Sequence, residues 1–162
     1  MIKIKNIFLD LHGYNCFGCS PHNNHGLKLD FYLDENTDEA VAYYFPESHL
    51  AGFPGILHGG IQATLLDEIA FWVMFGLYKK MGFTTQMQVQ YKRPLSMENK
   101  IELRGRVLEK NERIVKIQCQ LLDAGGKICT EGIVEYIIVN KKLWMRNMGI
   151  DKIPESFNDY FD

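Results

Sequence analysis

The residues from about Gly60 to Lys80 are apolar on nearly every side of a helix. Ile61, Leu65, Ile69, Trp72 and Phe75 recur at spacings of three or four, the helical period, and Leu66, Val73 and Leu77 fill the other side. A helix without a polar face has to be enclosed by the rest of its protein. In a chain of 162 residues, room for one domain around one core, that leaves the remaining residues the task of wrapping it. Gln62, Asp67 and Glu68 interrupt the run and Tyr78-Lys79-Lys80 ends it, so it does not read as a membrane span.

The flanking segments have the other period. From Leu27, apolar Leu27, Leu29, Phe31 and Leu33 alternate with Lys28, Asp30, Tyr32 and Asp34, and after a polar turn Val41, Tyr43 and Phe45 continue to Pro46, which predicts a hairpin. A Gly- and Pro-rich loop, 51–55, leads into the helix. Beyond Gly82 the alternation resumes through Met87, Val89 and Tyr91 and stops at Pro94. Two more strands are centred on Ile101 to Val107 and Val115 to Leu121, and a last one runs from about Lys127 to Val139, with tight turns between. Two strands, a buried helix and four strands predict an α+β class, an antiparallel sheet curled around one helix. Residues 1–139 make that domain. Residues 140–162 carry Trp144, Phe157, Tyr160 and Phe161, too apolar for a free linker, and are expected to pack on the domain or on a neighbouring subunit.

The balance of charge excludes some partners. Net charge is -2, and the basic residues are scattered as pairs such as Lys79-Lys80 and Lys141-Lys142, so nucleic acid is not expected. The first sixteen residues contain no continuous apolar stretch and include Asp10, which predicts no signal peptide and a cytoplasmic protein. Four cysteines are too few for a disulfide scaffold.

Chemistry concentrates at the mouth of the helix, in Leu57-His58-Gly59-Gly60, with Asp67 about two turns on. Backbone N–H groups at a helix start lack acceptors, and the helix dipole favours negative charge there. Two glycines leave space for a carbonyl oxygen to reach those donors, an arrangement that stabilises oxyanions. Equally, Gly59 and Gly60 can serve only a tight turn into the helix. Asp67 has Ala63, Thr64, Ala70 and Phe71 as its helical neighbours, a mostly apolar face with room for a ligand. A carboxylate there finds hydrogen-bond donors or does chemistry. Glu68 points about 100° away and reads as a rim or interface residue first, an alternative base second.

The run Phe53-Pro54-Gly55-Ile56-Leu57-His58-Gly59-Gly60 through Asp67-Glu68 resembles the signature of hotdog-fold acyl-CoA thioesterases of the phenylacetyl-CoA type. Cys16-Phe17-Gly18-Cys19 through Asn24-His25-Gly26-Leu27, and Tyr91-Lys92-Arg93-Pro94, also match members of that group. The resemblance spans residues 16 to 139. It implies a hotdog fold, hydrolysis of an acyl-CoA to an acid and free coenzyme A, no cofactor besides the coenzyme A of the substrate, and a homodimer or dimer of dimers. It also implies roles: Gly59 as oxyanion donor, Asp67 as general base or nucleophile, Thr84 orienting water or the acid, with Thr85 as fallback. His58 is expected to anchor the loop. The substrate is expected against Gly60 and Ala63, with Lys92 and Arg93 at the rim beside coenzyme A phosphates or simply solvated. In the family, the Asp67 and Gly59 serving one thioester come from different chains.

Two other readings compete. Phe45-Pro46-Glu47-Ser48-His49 resembles the histidine loop of hotdog hydratases, in which His49 would replace Thr84, and a non-catalytic acyl-CoA or lipid carrier needs none of these groups to react. Cys16, Cys19, His22 and His25 are zinc-ligand residue types, but the two histidines lie closer than the usual spacing of three to five, so no metal is expected and the cysteine pair is expected near the site entrance.

Overall fold

The apolar helix is surrounded as its composition demands. In the computed structural model, which describes residues 1–161, β1 (Ile2–Lys3), β2 (Phe31–Asp34) and β3 (Glu39–Tyr44) precede a small hairpin, β4 (Ala51–Phe53) and β5 (Ile56–Leu57). Helix α1 (Gly59–Tyr78) follows, then β6 (Gly82–Tyr91), β7 (Ile101–Lys110), β8 (Ile114–Leu122) and β9 (Ile128–Ile138), and finally α2 (Lys141–Met148). All strands except β4 and β5 form one antiparallel seven-stranded sheet in the order β1-β2-β3-β7-β8-β9-β6. It curls around α1, which packs against β2, β3 and every strand from β6 to β9. This is the α+β arrangement that the patterning predicts, a hotdog fold.

Burial explains why α1 needs no polar stripe. Leu65, Leu66, Ile69, Val73 and Phe75 are fully enclosed, and Trp72 stacks on Phe31 with centroids 4.9 Å apart and planes at 12°. By length and hydropathy alone α1 would pass as a membrane span, yet the sheet occupies the faces that lipid would meet. Helix and sheet approach closely at Gly105, where an added Cβ would lie 2.7 Å from Val73 Cγ2. The helix ends at Lys79, whose φ of 51° breaks the repeat.

Two segments differ from the patterning. Leu27 and Leu29 are buried but lie outside β2, because Lys28 between them turns to a left-handed φ of 53° and the strand begins only at Phe31. Their N–H groups instead donate to Phe17 O (2.7 Å) and Gly18 O (2.9 Å), pinning the N-terminal loop. The loop before α1 contains the β4-β5 hairpin. The C-terminal segment packs on its own chain: Tyr160 stacks on Phe75 at 4.2 Å, and Phe157 meets Phe8 edge-on at 5.5 Å and Trp144 at 5.6 Å.

Candidate active site

The start of α1 is set by a side chain. His58, the N-cap, accepts from the Gly60 N–H at its Nδ1 (2.9 Å), which fixes the ring against the helix. That contact also corrects the expectation for Gly60, whose N–H is already occupied. The Gly59 N–H, first in the helix, has no acceptor within it. On the other side of that peptide the Tyr91 hydroxyl donates to Gly59 O (2.9 Å), tying the mouth of α1 to the end of β6.

A cleft of about 700 Å³ opens here between Phe53, His58, Gly59, Gln62, Tyr91, Lys92 and Arg93. Lys92 pairs with Glu131 at 2.6 Å, and Arg93 Nη1 donates to Ile128 O at 2.8 Å, so both cations are held at the rim. Ala63, expected to touch substrate, is half-buried and lines neither this cleft nor the next. Gln62 was missed by sequence reasoning. It is buried beside the cleft, donating from Nε2 to Leu57 O (2.7 Å) and accepting from the Thr130 hydroxyl. A glutamine inside an apolar helix was the available signal.

Asp67 belongs to a second cleft, of about 270 Å³, walled by Phe8, Tyr14, Phe71, Phe83 and Tyr136. Thr84 Oγ1 donates to Asp67 Oδ1 at 2.9 Å, and the Tyr136 hydroxyl reaches the same oxygen at 3.2 Å and the Asp67 carbonyl at 2.9 Å. Burial holds the Tyr136 phenol well above its ordinary pKa, so it stays a donor. Oδ2 has no hydrogen-bond partner among the described residues.

The choice of Thr84 over Thr85 follows from a β-bulge. Thr84 faces Tyr136 on β9 and Gln86 faces Glu135, so Thr85 is the extra residue. It turns outward to Glu135 O (3.2 Å) and Oε1 (2.9 Å), which removes it from the substrate-binding set.

Glu68 is not a rim residue. Its Oε1 lies 3.4 Å from Cys16 Sγ and its Oε2 is sealed from solvent without a partner. Burial first, then the charge of Cys16, pushes its carboxyl up to about 8, while hydrogen bonding from Cys19 draws the Cys16 thiol down to about 5. The cysteine pair does line the Asp67 cleft. His22 and His25 are exposed and contribute nothing to it. His49, the histidine of the hydratase reading, is exposed, lies 3.6 Å from Glu47 and lines neither cleft.

Asp67 and Gly59 stand eight residues apart on one straight helix, about 12 Å along its axis, and open into different clefts. One chain therefore keeps the two groups in separate clefts.

Comparison with known proteins agrees with this architecture. Residues 54–130 match the model of the thioesterase superfamily. An uncharacterized protein of Schizosaccharomyces pombe is 37% identical over 65 residues, 40% of this chain and 37% of that protein. The matches span less than half the length of the curated relatives. Among solved structures, a thioesterase superfamily protein superposes with a TM-score of 0.68 at 23% identity, covering 77% of this chain and 63% of that one. A hypothetical thioesterase protein from Streptococcus pneumoniae, solved with coenzyme A, gives 0.59 at 17% identity over 62% and 78%. The matched stretch runs from just before α1 to the start of β9 and is similar to the thioesterase superfamily, and the chain as a whole has the hotdog fold.

Proposed function

We propose that the chain is an acyl-CoA thioesterase, converting a thioester and water to a carboxylic acid and free coenzyme A. The observation that carries this reading is the Asp67 carboxylate, which takes two hydroxyl donors on Oδ1 and presents Oδ2 to an aromatic-walled cleft. In the general-base form, water attacks the carbonyl carbon as its proton passes to Oδ2. The carbonyl oxygen, now negative, accepts from the Gly59 N–H and gains from the dipole of α1. Collapse expels the coenzyme A sulfur, which takes the proton back. In the nucleophilic form Oδ2 attacks the carbonyl carbon and expels the coenzyme A thiolate, and water then hydrolyses the resulting anhydride to the acid and the free Asp67 carboxylate.

Geometry within one chain separates base and oxyanion donor, so a second copy supplies the missing half. The ten-residue strand β6 is a sheet edge, carries Thr84 and ends at Tyr91, and is where a second sheet would join. Lys92 and Arg93 at the first cleft fit the phosphates of coenzyme A. The Streptococcus relative holds coenzyme A, and it was also solved with an aspartate and, separately, a threonine replaced by alanine, the residue types that meet here.

The test is release of free thiol from short, aromatic and long acyl-CoAs. Asp67→Asn is expected to lower kcat by about 10² to 10⁴, the usual contribution of a positioned acid or base, with the oligomer intact. Near wild-type turnover by that variant would remove Asp67 from the mechanism, and turnover of a 2-enoyl-CoA without thiol release would replace the reading by hydration.

A further inference from the structure

We infer that Cys16, Cys19 and Glu68 form a binding site for a soft divalent transition-metal ion of the zinc class. The N-terminal loop is folded down onto α1 at this one place. Ser20 N–H donates to Cys16 O (3.1 Å), and the N–H groups of the buried residues Leu27 and Leu29 hold the loop's Phe17 and Gly18 carbonyls. The result brings three donor atoms from distant parts of the chain within 4.8 Å of one another. Cys16 Sγ is 3.3 Å from Cys19 Sγ and 3.4 Å from Glu68 Oε1.

Those separations are close to the edges of a coordination polyhedron. Zinc bonds of about 2.3 Å to sulfur and about 2.1 Å to carboxylate oxygen place tetrahedral neighbours about 3.8 Å apart for two sulfurs and about 3.6 Å for sulfur and oxygen. A shift of a few tenths of an ångström brings both Cys16 separations to these values, and the third pair already lies within 4.8 Å. Two thiolates select a soft cation over calcium or magnesium.

Two further observations point to a ligand. Glu68 Oε2 is sealed from solvent and unpartnered, a costly state that a cation beside the carboxylate relieves. Gly18 has no room for any side chain, since a Cβ there would lie 2.1 Å from Glu68 Cδ, so the Cys16–Cys19 loop is shaped to receive this carboxyl group. The donor set differs from the one the motif suggests: Glu68 stands where a histidine was sought. The three donors line the cleft that also contains Asp67 and Thr84, from which a water molecule would complete the coordination. Binding releases thiol protons to solvent and staples the N-terminal loop to α1. The assignment is independent of the hydrolytic reading.

Cobalt(II) is the probe. Reduced, metal-free wild-type protein titrated without oxygen is expected to take up one equivalent per chain, with thiolate-to-cobalt absorption in the near ultraviolet that one equivalent of zinc bleaches. Cys16→Ser and Cys19→Ser should each abolish that absorption. Glu68→Gln, nearly isosteric and least disturbing to the fold, should weaken uptake by more than about tenfold. Replacing His22 and His25 together by alanine should leave the titration unchanged. Thermal unfolding adds a readout free of absorption: zinc should raise the Tm of the wild type and not that of Glu68→Gln. Absence of stoichiometric uptake by the reduced wild type overturns the assignment. So does uptake that survives Glu68→Gln at full affinity, or that is lost with the two histidines.

Discussion

Asp67 receives two hydroxyls, and they do different work. Thr84 reaches it from the edge strand, Tyr136 from the neighbouring strand β9, where its hydroxyl also bonds the Asp67 carbonyl. Removing the threonine hydroxyl frees the carboxylate to rotate. Thr84→Ala is expected to lower kcat by about tenfold or more, because misplacing a reacting group by an ångström is costly. Tyr136→Phe should act on both kcat and stability, costing about 0.5–1.5 kcal/mol by urea unfolding, since it removes a buried hydroxyl that bonds both the Asp67 carbonyl and its carboxylate. Equal kcat in wild type and Thr84→Ala would detach Thr84 from the reaction. At this scale the sequence was informative where a residue was out of place. A carboxylate on an apolar helix face singled out Asp67, and the glycine pair marked the helix mouth. Tyr136 gave no such signal. Period-two alternation puts it on an inner face but does not say which turn of α1 it will meet. Glu68 misled for a related reason: the helical wheel turns it from Asp67, and only the folded N-terminal loop covers it.

At the scale of elements, α1 and the strand order were legible because the two periods are long and unmixed. Boundaries and kinks were not. Alternation cannot reveal that a left-handed turn at Lys28 delays β2 to Phe31, nor that one extra residue at Thr85 resets the face of β6. The close approach of α1 to β7 makes an element-level prediction. Gly105→Val is expected to force Val73 and the helix outward and to destabilise the fold by about 1–3 kcal/mol, read from the midpoint of denaturant unfolding. An unchanged midpoint would mean that the helix and sheet have slack there.

For the whole molecule, the C-terminal segment closes one end of the barrel-like wrap. Phe157, fully buried between Phe8 and Trp144, is its anchor, and Phe157→Ala should cost about 3–5 kcal/mol. A loss below about 1 kcal/mol would make the segment an appendage. Its composition announced that it packs, though nothing in the linear pattern named Phe8 and Phe75 as its partners. The division of Gly59 and Asp67 between two clefts is likewise a property of the folded whole, visible only once α1 has neighbours on every side. It supports the central claim, that a hydrolytic site is assembled from the helix mouth of one chain and the carboxylate of another. Subunit complementation tests this directly. Asp67→Asn removes the carboxylate, and Gly59→Val fills the oxyanion position, where an added Cβ makes ordinary contact with the Tyr91 ring at 3.4 Å. Each variant alone should be nearly inactive toward acyl-CoA. Unfolded and refolded together in equal amounts, they should regain about a quarter of wild-type thiol release, since random pairing makes half the dimers mixed and each mixed dimer has one intact site. Mixtures that stay as inactive as their components, while forming mixed dimers, would contradict it.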